Sequence, residues 1–260
     1  DFAYGATVLG MMPDFIYNET GLVNETTGYY PKHPKLVYFN GEKNSTKIFQ
    51  DLKQLERELR DKWGEQGNIS EFRNDENKVI NFLKKLYRDA KNPSIKLANK
   101  ILGKELTKLW ISGSAKGLLD HYFTSDKTKL YMGMTVIESG PASIYDSGTA
   151  FTIPLMDSGS VFNGYWGFVK TGIWKITEKL TKLNSSLGVK YYLGSTINEV
   201  NSNSNNISFT KDNKDHILNY DHLIFATDPI TPSKLINNFK TDIDLDLIGT
   251  SGKVTAFFKN

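Results

Sequence analysis

Between residues 45 and 138 the apolar positions recur every three or four residues, which is the period of helices with one buried face. Ile48, Leu52, Leu55 and Leu59 make one stripe, with Glu58 and Lys62 one turn apart on the polar side. The pattern predicts a helix capped by Ser45 or Thr46 and ended at Trp63-Gly64. A second helix carries Val79, Phe82, Leu83, Leu86 and Tyr87 and stops before Asn92-Pro93. Pro93 suits the first turn of a third, with Ile95, Ala98, Ile101 and Leu102 inward and Gly103 at its end. Leu106, Leu109 and Trp110 continue the helical region. Ser112 or Ser114 opens another helix, and Ser125-Asp126 opens the last, through Met134 and Ile137. Ahead of these helices, Leu36 to Phe39 reads as a strand running into an Asn40-Gly41 hairpin turn. Residues 1 to 17 read as a glycine-punctuated strand or loop.

The period changes after Gly140-Pro141. Trp166, Phe168 and Val169 form a β-prone run that Gly172 punctuates, and Ile173, Ile176, Leu180 and Leu183 then return to helical spacing. Gly188 stands where a left-handed helix cap is wanted, and Val189 to Leu193 restarts as an extended segment. Ile197–Val200, Ile207–Thr210 and Ile217–Tyr220 are strand-length pieces separated by the Asn/Ser tract 201–206 and by polar residues 211–215, so they predict an antiparallel three-stranded meander. His222 to Ala226 is almost continuously apolar and stops at Thr227-Asp228-Pro229. It predicts a strand buried on both faces whose end opens into a crevice. Lys253 to Phe258 reads as a further strand. The fold class these elements predict is α/β in the α+β sense: a β-meander with a helix, beside a mainly helical domain built on a mixed sheet.

Composition narrows the chemistry. The chain has 260 residues and a net charge of +3 spread over interleaved lysines and carboxylates, which argues against a nucleic-acid partner. It has no cysteine, so disulfides, thiolate catalysis and zinc–thiolate sites are excluded, and an intracellular, cytoplasmic setting is expected. No apolar run reaches the ~20 residues needed to span a bilayer. The four histidines, His33, His121, His216 and His222, show no paired-ligand spacing, and no metal site is expected. Ser112 and Ser114 read as helix caps, and no G-x-S-x-G is present, so a hydrolytic triad is not expected.

The succession Trp166-Gly-Phe-Val-Lys-Thr-Gly172, an amphipathic helix, Gly188-Val-Lys-Tyr-Tyr-Leu-Gly-Ser-Thr-Ile-Asn-Glu-Val200 and Asp221-His-Leu-Ile-Phe-Ala-Thr-Asp-Pro229 resembles the phytoene-desaturase-like branch of the flavin amine oxidase superfamily. Ser114 to Phe123 and the opening Asp1 to Ala6 with Met11-Met12-Pro13 are similar to further family segments in the same order. Two departures stand out. Lys170-Thr171-Gly172 occupies the place of a Gly-Gly turn. No G-x-G-x-x-G is present, Gly5 to Gly10 having the wrong spacing. The resemblance therefore implies the central portion of a longer FAD-dependent oxidoreductase, with the pyrophosphate-binding turn upstream and a second flavin-binding stretch downstream.

The same resemblance implies a domain plan: residues 1–20 a remnant of the FAD-binding domain, 21–165 a helical substrate domain with strands, 166–232 an FAD-binding portion with the meander, and 233–260 a return to the substrate domain. It carries cofactor-binding roles to Thr196, Ile197, Ala226, Thr227 and Asp228, and substrate-binding roles to Tyr165, Trp166 and Phe168. Asp228 reads equally as a strand stop with an Asx turn, and the three aromatics equally as core. The implied partner is an apolar, isoprenoid- or lipid-like small molecule that gives hydride to the flavin, with a peripheral membrane contact. No catalytic side chain is assigned, because the flavin carries the hydride chemistry. Two alternatives stand beside this reading: an amine-oxidising flavoenzyme, and a non-catalytic module that binds lipid or a protein partner.

Overall fold

The computed structural model describes residues 6–89, 92–138, 142–159, 161–162, 165–228, 230–237 and 239. Pro229 and the expected strand at Lys253 to Phe258 lie outside the described residues. The chain divides into two compact units, the first running to Leu183 and the second starting at Asn184. Helix accounts for 47% of the structure and strand for 14%, and every strand belongs to a small antiparallel sheet, so the fold is α+β.

The first unit contains, in order, α1 (Asp14–Glu19), α2 (Leu22–Glu25), β1 (Gly28–Tyr29), β2 (Lys35–Val37), β3 (Thr46–Ile48), α3 (Leu52–Trp63), α4 (Ile69–Asp89), α5 (Ile95–Leu102) and α6 (Lys104–Leu106). A π-helical turn at Thr107–Ile111 leads to α7 (Ala115–Tyr122) and α8 (Asp126–Glu138). A 3-10 turn at Thr149–Phe151 runs into α9 (Thr152–Met156), followed by β4 (Phe168–Val169) and α10 (Trp174–Ser186), whose last turn crosses into the second unit.

Leu55, Leu59 and Trp63 of α3, Ile69, Phe72 and Val79 of α4, Trp110, and Leu118 and Tyr122 of α7 share one buried cluster. The stripe expected on α3 is in this core, whereas Ile95 and Ile101 of α5, expected to be buried, are exposed. A smaller cluster of Leu9, Tyr17, Leu22, Val169 and Ile176 seats β4.

Cap chemistry decides the boundaries. The first helix of the pattern does not start at Ser45 or Thr46. Residues 46–48 instead pair with 35–37 as β3, and α3 begins after Asp51, whose carboxylate accepts the Gln54 N–H at 2.9 Å. The Asn40-Gly41 turn lies in the loop of this hairpin, with Gly41 at φ +87°. Pairing with β2 satisfies three residues' backbone groups that a first helical turn would have left open. Gly64 at φ +67° closes α3 as expected. The second helix, α4, is much longer than its apolar stripe, because Asn68 caps it by accepting the Glu71 N–H at 3.0 Å. Ser94, not Pro93, initiates α5.

The second unit is built on the sheet β5 (Thr196–Asn201), β6 (Asn206–Lys211) and β7 (Lys214–Asn219), followed by α11 (Thr231–Leu235). These are the meander strands expected from the sequence. The β6–β7 turn uses Asp212 and Asn213, both at positive φ (51° and 58°), the pair of left-handed residues a tight hairpin requires. Gly188 at φ +87° caps α10 as predicted, with the Val189 N–H reaching the Asn184 carbonyl at 3.0 Å.

The apolar run His222 to Ala226 departs from expectation. It forms no strand, and Ile224 is 86% exposed. Val189 to Leu193 likewise forms no strand. A strand buried on both faces exists only between neighbours that supply its ladder and cover its faces, and among the described residues neither segment has them.

Candidate functional site

In the first unit the predicted substrate residues sit on β4 and the residues before it. Gly167 and Leu9 exchange backbone hydrogen bonds of 3.0 and 2.8 Å, Phe168 faces Tyr29 across the β1–β4 pair, and the Lys170 N–H reaches the Thr27 carbonyl at 2.8 Å. Three distant stretches of chain are thereby brought together.

The pairing lines up aromatic rings. Tyr29 and Phe168 stack with centroids 5.7 Å apart, and Tyr30 and Tyr165 lie nearly parallel at 5.1 Å, with Phe162 tilted against Tyr30 at 6.0 Å. Tyr29 and Phe168 are exposed, and Tyr30 and Tyr165 are half-buried. This is an amphipathic aromatic face rather than closed core. Tyr29, Tyr30 and Phe162 belong to it although the sequence pattern does not single them out; the signal available was the β-prone Gly28-Tyr-Tyr-Pro31.

Trp166 plays a different part. Its indole lies on the Gly10 backbone, so that a Cβ at Gly10 would sit 2.4 Å from the ring, and its Nε1–H donates to the Met156 carbonyl at 3.2 Å. Phe162 presses in the same way on Gly167, where a Cβ would meet it at 2.5 Å. Gly10→Ala is therefore expected to force the indole off its seat and cost about 1–3 kcal/mol by overpacking, read as a lower urea midpoint with an unchanged m-value.

The turn after β4 is left-handed at two successive positions, Thr171 at φ +71° and Gly172 at φ +119°. A β-branched residue there is unusual. The turn is held by the Gly172 N–H on the Val169 carbonyl (2.9 Å) and by the Trp174 indole N–H on the Thr171 carbonyl (3.0 Å), with the Lys175 ammonium 4.1 Å over the Trp174 ring. Glu178 pairs with Lys175 and Lys182, and their hydrogen bonds hold its carboxyl down to about 2.

The predicted cofactor residues all belong to the second unit. Thr196 and Ile197 open β5 opposite Thr210 and Phe209, both are exposed, and a bulge follows where the Asn198 amide donates to Thr210 Oγ1 at 2.9 Å. Ala226, Thr227 and Asp228 are exposed and outside any strand, so the buried strand end assigned to them is corrected. Asp228 makes the Asx-type turn: its carboxylate accepts the N–H of Ile230 (2.9 Å), the N–H of Thr231 (3.0 Å) and the Thr231 hydroxyl (2.5 Å). Those bonds, Thr231 first, hold it below the usual carboxylate range. Among the described residues no hydrogen bond joins Thr196 or Ile197 to residues 226–228.

Two polar constellations in the first unit went unseen in the sequence. The Trp110 indole N–H donates to the Tyr122 hydroxyl (3.1 Å), which donates to Asp75 (2.7 Å); burial, then Asp75, pushes the Tyr122 phenol upward. On the same helix as Asp75, Arg73 holds Glu76 in a close ion pair and lies 3.8 Å from Asp157. Arg73-x-x-Glu76 on an amphipathic helix was the legible clue; Asp157 was not, lying 81 positions away from Glu76 in the chain. Among the described residues no three His, Asp or Glu side chains gather as a metal site needs, and no helix is long and apolar enough to cross a membrane.

No family model matches the chain, and no curated protein is significantly similar to it.

Proposed function

We propose that this chain is part of an FAD-dependent oxidoreductase that takes hydride from an apolar, isoprenoid- or lipid-like substrate. The observation that carries the reading is the order of elements from 168 to 219: a short strand, a left-handed turn, an amphipathic helix closed by Gly188, and a three-stranded antiparallel meander. That order matches part of what the family resemblance implies; the extended segments it also implies at 189–193 and 222–226 form no strand.

The residues fit the cofactor unevenly. Thr196, Ala226 and Thr227 are exposed, so their polar groups face solvent where a polar ligand edge could be held. Asp228 fits a pyrophosphate least, because its carboxylate is anionic and already engaged by Ile230 and Thr231. When bound, the flavin supplies the hydride acceptor. The chain's own part is to bind and orient: Tyr29, Tyr30, Tyr165 and Phe168 offer flat apolar area with polar edges, which suits an unsaturated hydrocarbon chain and excludes water from it. Trp166, fixed on Gly10 and Met156, braces that strand.

The full-length protein, once purified, is expected to be yellow, to release flavin absorbance on denaturation, and to bleach when a polyprenyl substrate is added without oxygen. Bleaching by an amine instead would assign it to amine oxidation. A colourless protein that takes up no FAD would overturn both enzyme readings in favour of a lipid- or partner-binding module. In an active enzyme, Phe168→Ala and Tyr165→Ala are each expected to lower kcat/KM for the apolar substrate about tenfold, the equivalent of about 1.4 kcal/mol of lost binding area per ring.

A further inference from the structure

Glu76 sits on the inner face of α4, and only 3% of it is exposed. Its Oε2 is held by Arg73 Nη1, while its Oε1 is fully buried and has no hydrogen-bond partner among the described residues. The same Arg73 nitrogen lies 3.8 Å from Oδ2 of half-buried Asp157. Two carboxylates thus converge on one guanidinium nitrogen. One cation balances one carboxylate; Glu76 is buried, and half-exposed Asp157 has the ammonium of exposed Lys35 as a further positive charge.

Asp157 stands at the end of α9, which packs against α4 and α8. The residue before it, Met156, provides the carbonyl that receives the Trp166 indole N–H. The carboxylate cluster is therefore attached, within one residue, to the hydrogen bond that seats the aromatic strand.

We propose that Glu76 and Asp157 share a single proton across Arg73, and that this proton latches the end of α9, and with it the Trp166 strand, onto α4. With one carboxyl neutral the cluster carries one cation and one anion. Loss of the proton leaves two anions on one guanidinium, and Asp157, the more exposed of the two, is driven toward solvent and loosens the Met156–Trp166 contact.

The electrostatic surroundings agree in direction. Burial raises the Glu76 carboxyl above its ordinary range against the pull of Arg73, with Asp157 adding to the rise; burial likewise raises Asp157 against Arg73 and the ammonium of exposed Lys35. Tyr131 of α8 also faces the cluster and is itself raised, by burial first. Asp75 and Lys78 of α4 bind each other, and Tyr122 of α7 binds Asp75. Among the described residues α5 and α7 send no ion-pair partner to Glu76 or Asp157. A raised folded-state value gives stability that is complete at acid pH and lost as pH climbs through it, so the latch opens on the alkaline side.

Hydrogen exchange of the full chain, corrected for intrinsic rates and followed over residues 152–169 as pH rises from the ordinary carboxylate range, about 4, to about 9, tests the proposal. The wild type is expected to lose about tenfold in protection, which corresponds to a tenfold difference in proton affinity between the latched and open states. Glu76→Gln and Asp157→Asn each replace a titrating carboxyl by a neutral group of the same shape and are expected to remove the pH dependence. Infrared difference spectra across the same pH rise are expected to show the loss of a protonated-carboxyl band in the wild type at a pH where both variants show none. The proposal is overturned if wild-type protection does not change with pH, if the dependence survives in the variants, or if the band is absent. Should Glu76→Gln fail to fold, Asp157→Asn, at the more exposed position, decides the question alone.

Discussion

Glu65→Ala is expected to destabilise the first unit by about 3–6 kcal/mol, because the alanine leaves three backbone N–H groups without an acceptor at about 1–3 kcal/mol each, partly relieved by entering water. Glu65 is completely buried yet carries a carboxylate. Its Oε1 accepts the N–H of Gly67 at 2.7 Å, the N–H of Thr124 at 2.8 Å and the Thr124 hydroxyl at 3.0 Å, and its Oε2 accepts the Ser125 N–H at 3.2 Å. Thr124 and Ser125 immediately precede α8, so one side chain ties the α3–α4 loop to the start of a helix about sixty positions later and sets a negative charge at its positive end. Burial alone would raise the carboxyl, but the bonds from Thr124 and Gly67 outweigh it and hold it below its usual range.

The sign for pH follows. A depressed folded value contributes stability above the unfolded value and loses it as pH falls through the folded one, so Glu65 adds to acid unfolding. Urea titrations at neutral pH measure the loss in Glu65→Ala. Glu65→Gln, which keeps one acceptor oxygen but presents an amide to those donors, is expected to lose roughly half as much at neutral pH and to flatten the acid limb of the stability profile. An unchanged urea midpoint for Glu65→Ala would show that the carboxylate is not the tie described.

Phe72→Ala is expected to cost about 3–5 kcal/mol, the range for emptying a fully buried phenylalanine site. Phe72 is wholly buried and its ring meets Phe123, Trp110 and Tyr122 at centroid distances of 4.8, 5.1 and 5.4 Å. The loss exceeds the removed area alone. Trp110 and Tyr122 are pinned by the hydrogen-bond chain to Asp75, and they cannot collapse into the space without breaking it. For a unit of this size calorimetry is expected to show a Tm drop of roughly 10 °C. Phe72→Leu, which refills most of the volume, is expected to recover more than half. A Trp110→Phe and Phe72→Ala double-mutant cycle is expected to be non-additive, since the two rings share one contact.

Much of the fold was legible locally. The 3.6-residue stripes at 52–59 and 79–83 mark the helix faces that carry the main cluster, and they are legible because a helix repeats its own face without outside help. Gly64 and Gly188 mark helix ends for a reason held in one residue, the low cost of a left-handed backbone without a Cβ. The meander was legible because strand-length β-prone pieces are separated by polar turn residues. Ser45 and Thr46 misled, since a hydroxyl ahead of an apolar stripe caps a helix or joins a strand with equal local comfort, and the pairing with Lys35–Val37 settled it. For the candidate site, Trp166 and Phe168 were legible as part of a β-prone run, but not the rings on which Tyr165 and Phe168 stack, which come from a segment more than a hundred residues earlier.

By itself the sequence determined the α+β class, the faces of the helices, the three-stranded meander and its turns, since these depend on spacing and on the backbone freedom of single residues. Only the tertiary structure decided which charges meet and which apolar runs are covered. Glu65 reaches residues 124 and 125, Glu76 converges with Asp157 on Arg73, and His222 to Ala226 joins no strand and leaves Ile224 exposed despite a core-like composition. Burial, pairing and proton affinity are set by neighbours distant in the chain, and a local pattern holds no record of where those neighbours fold.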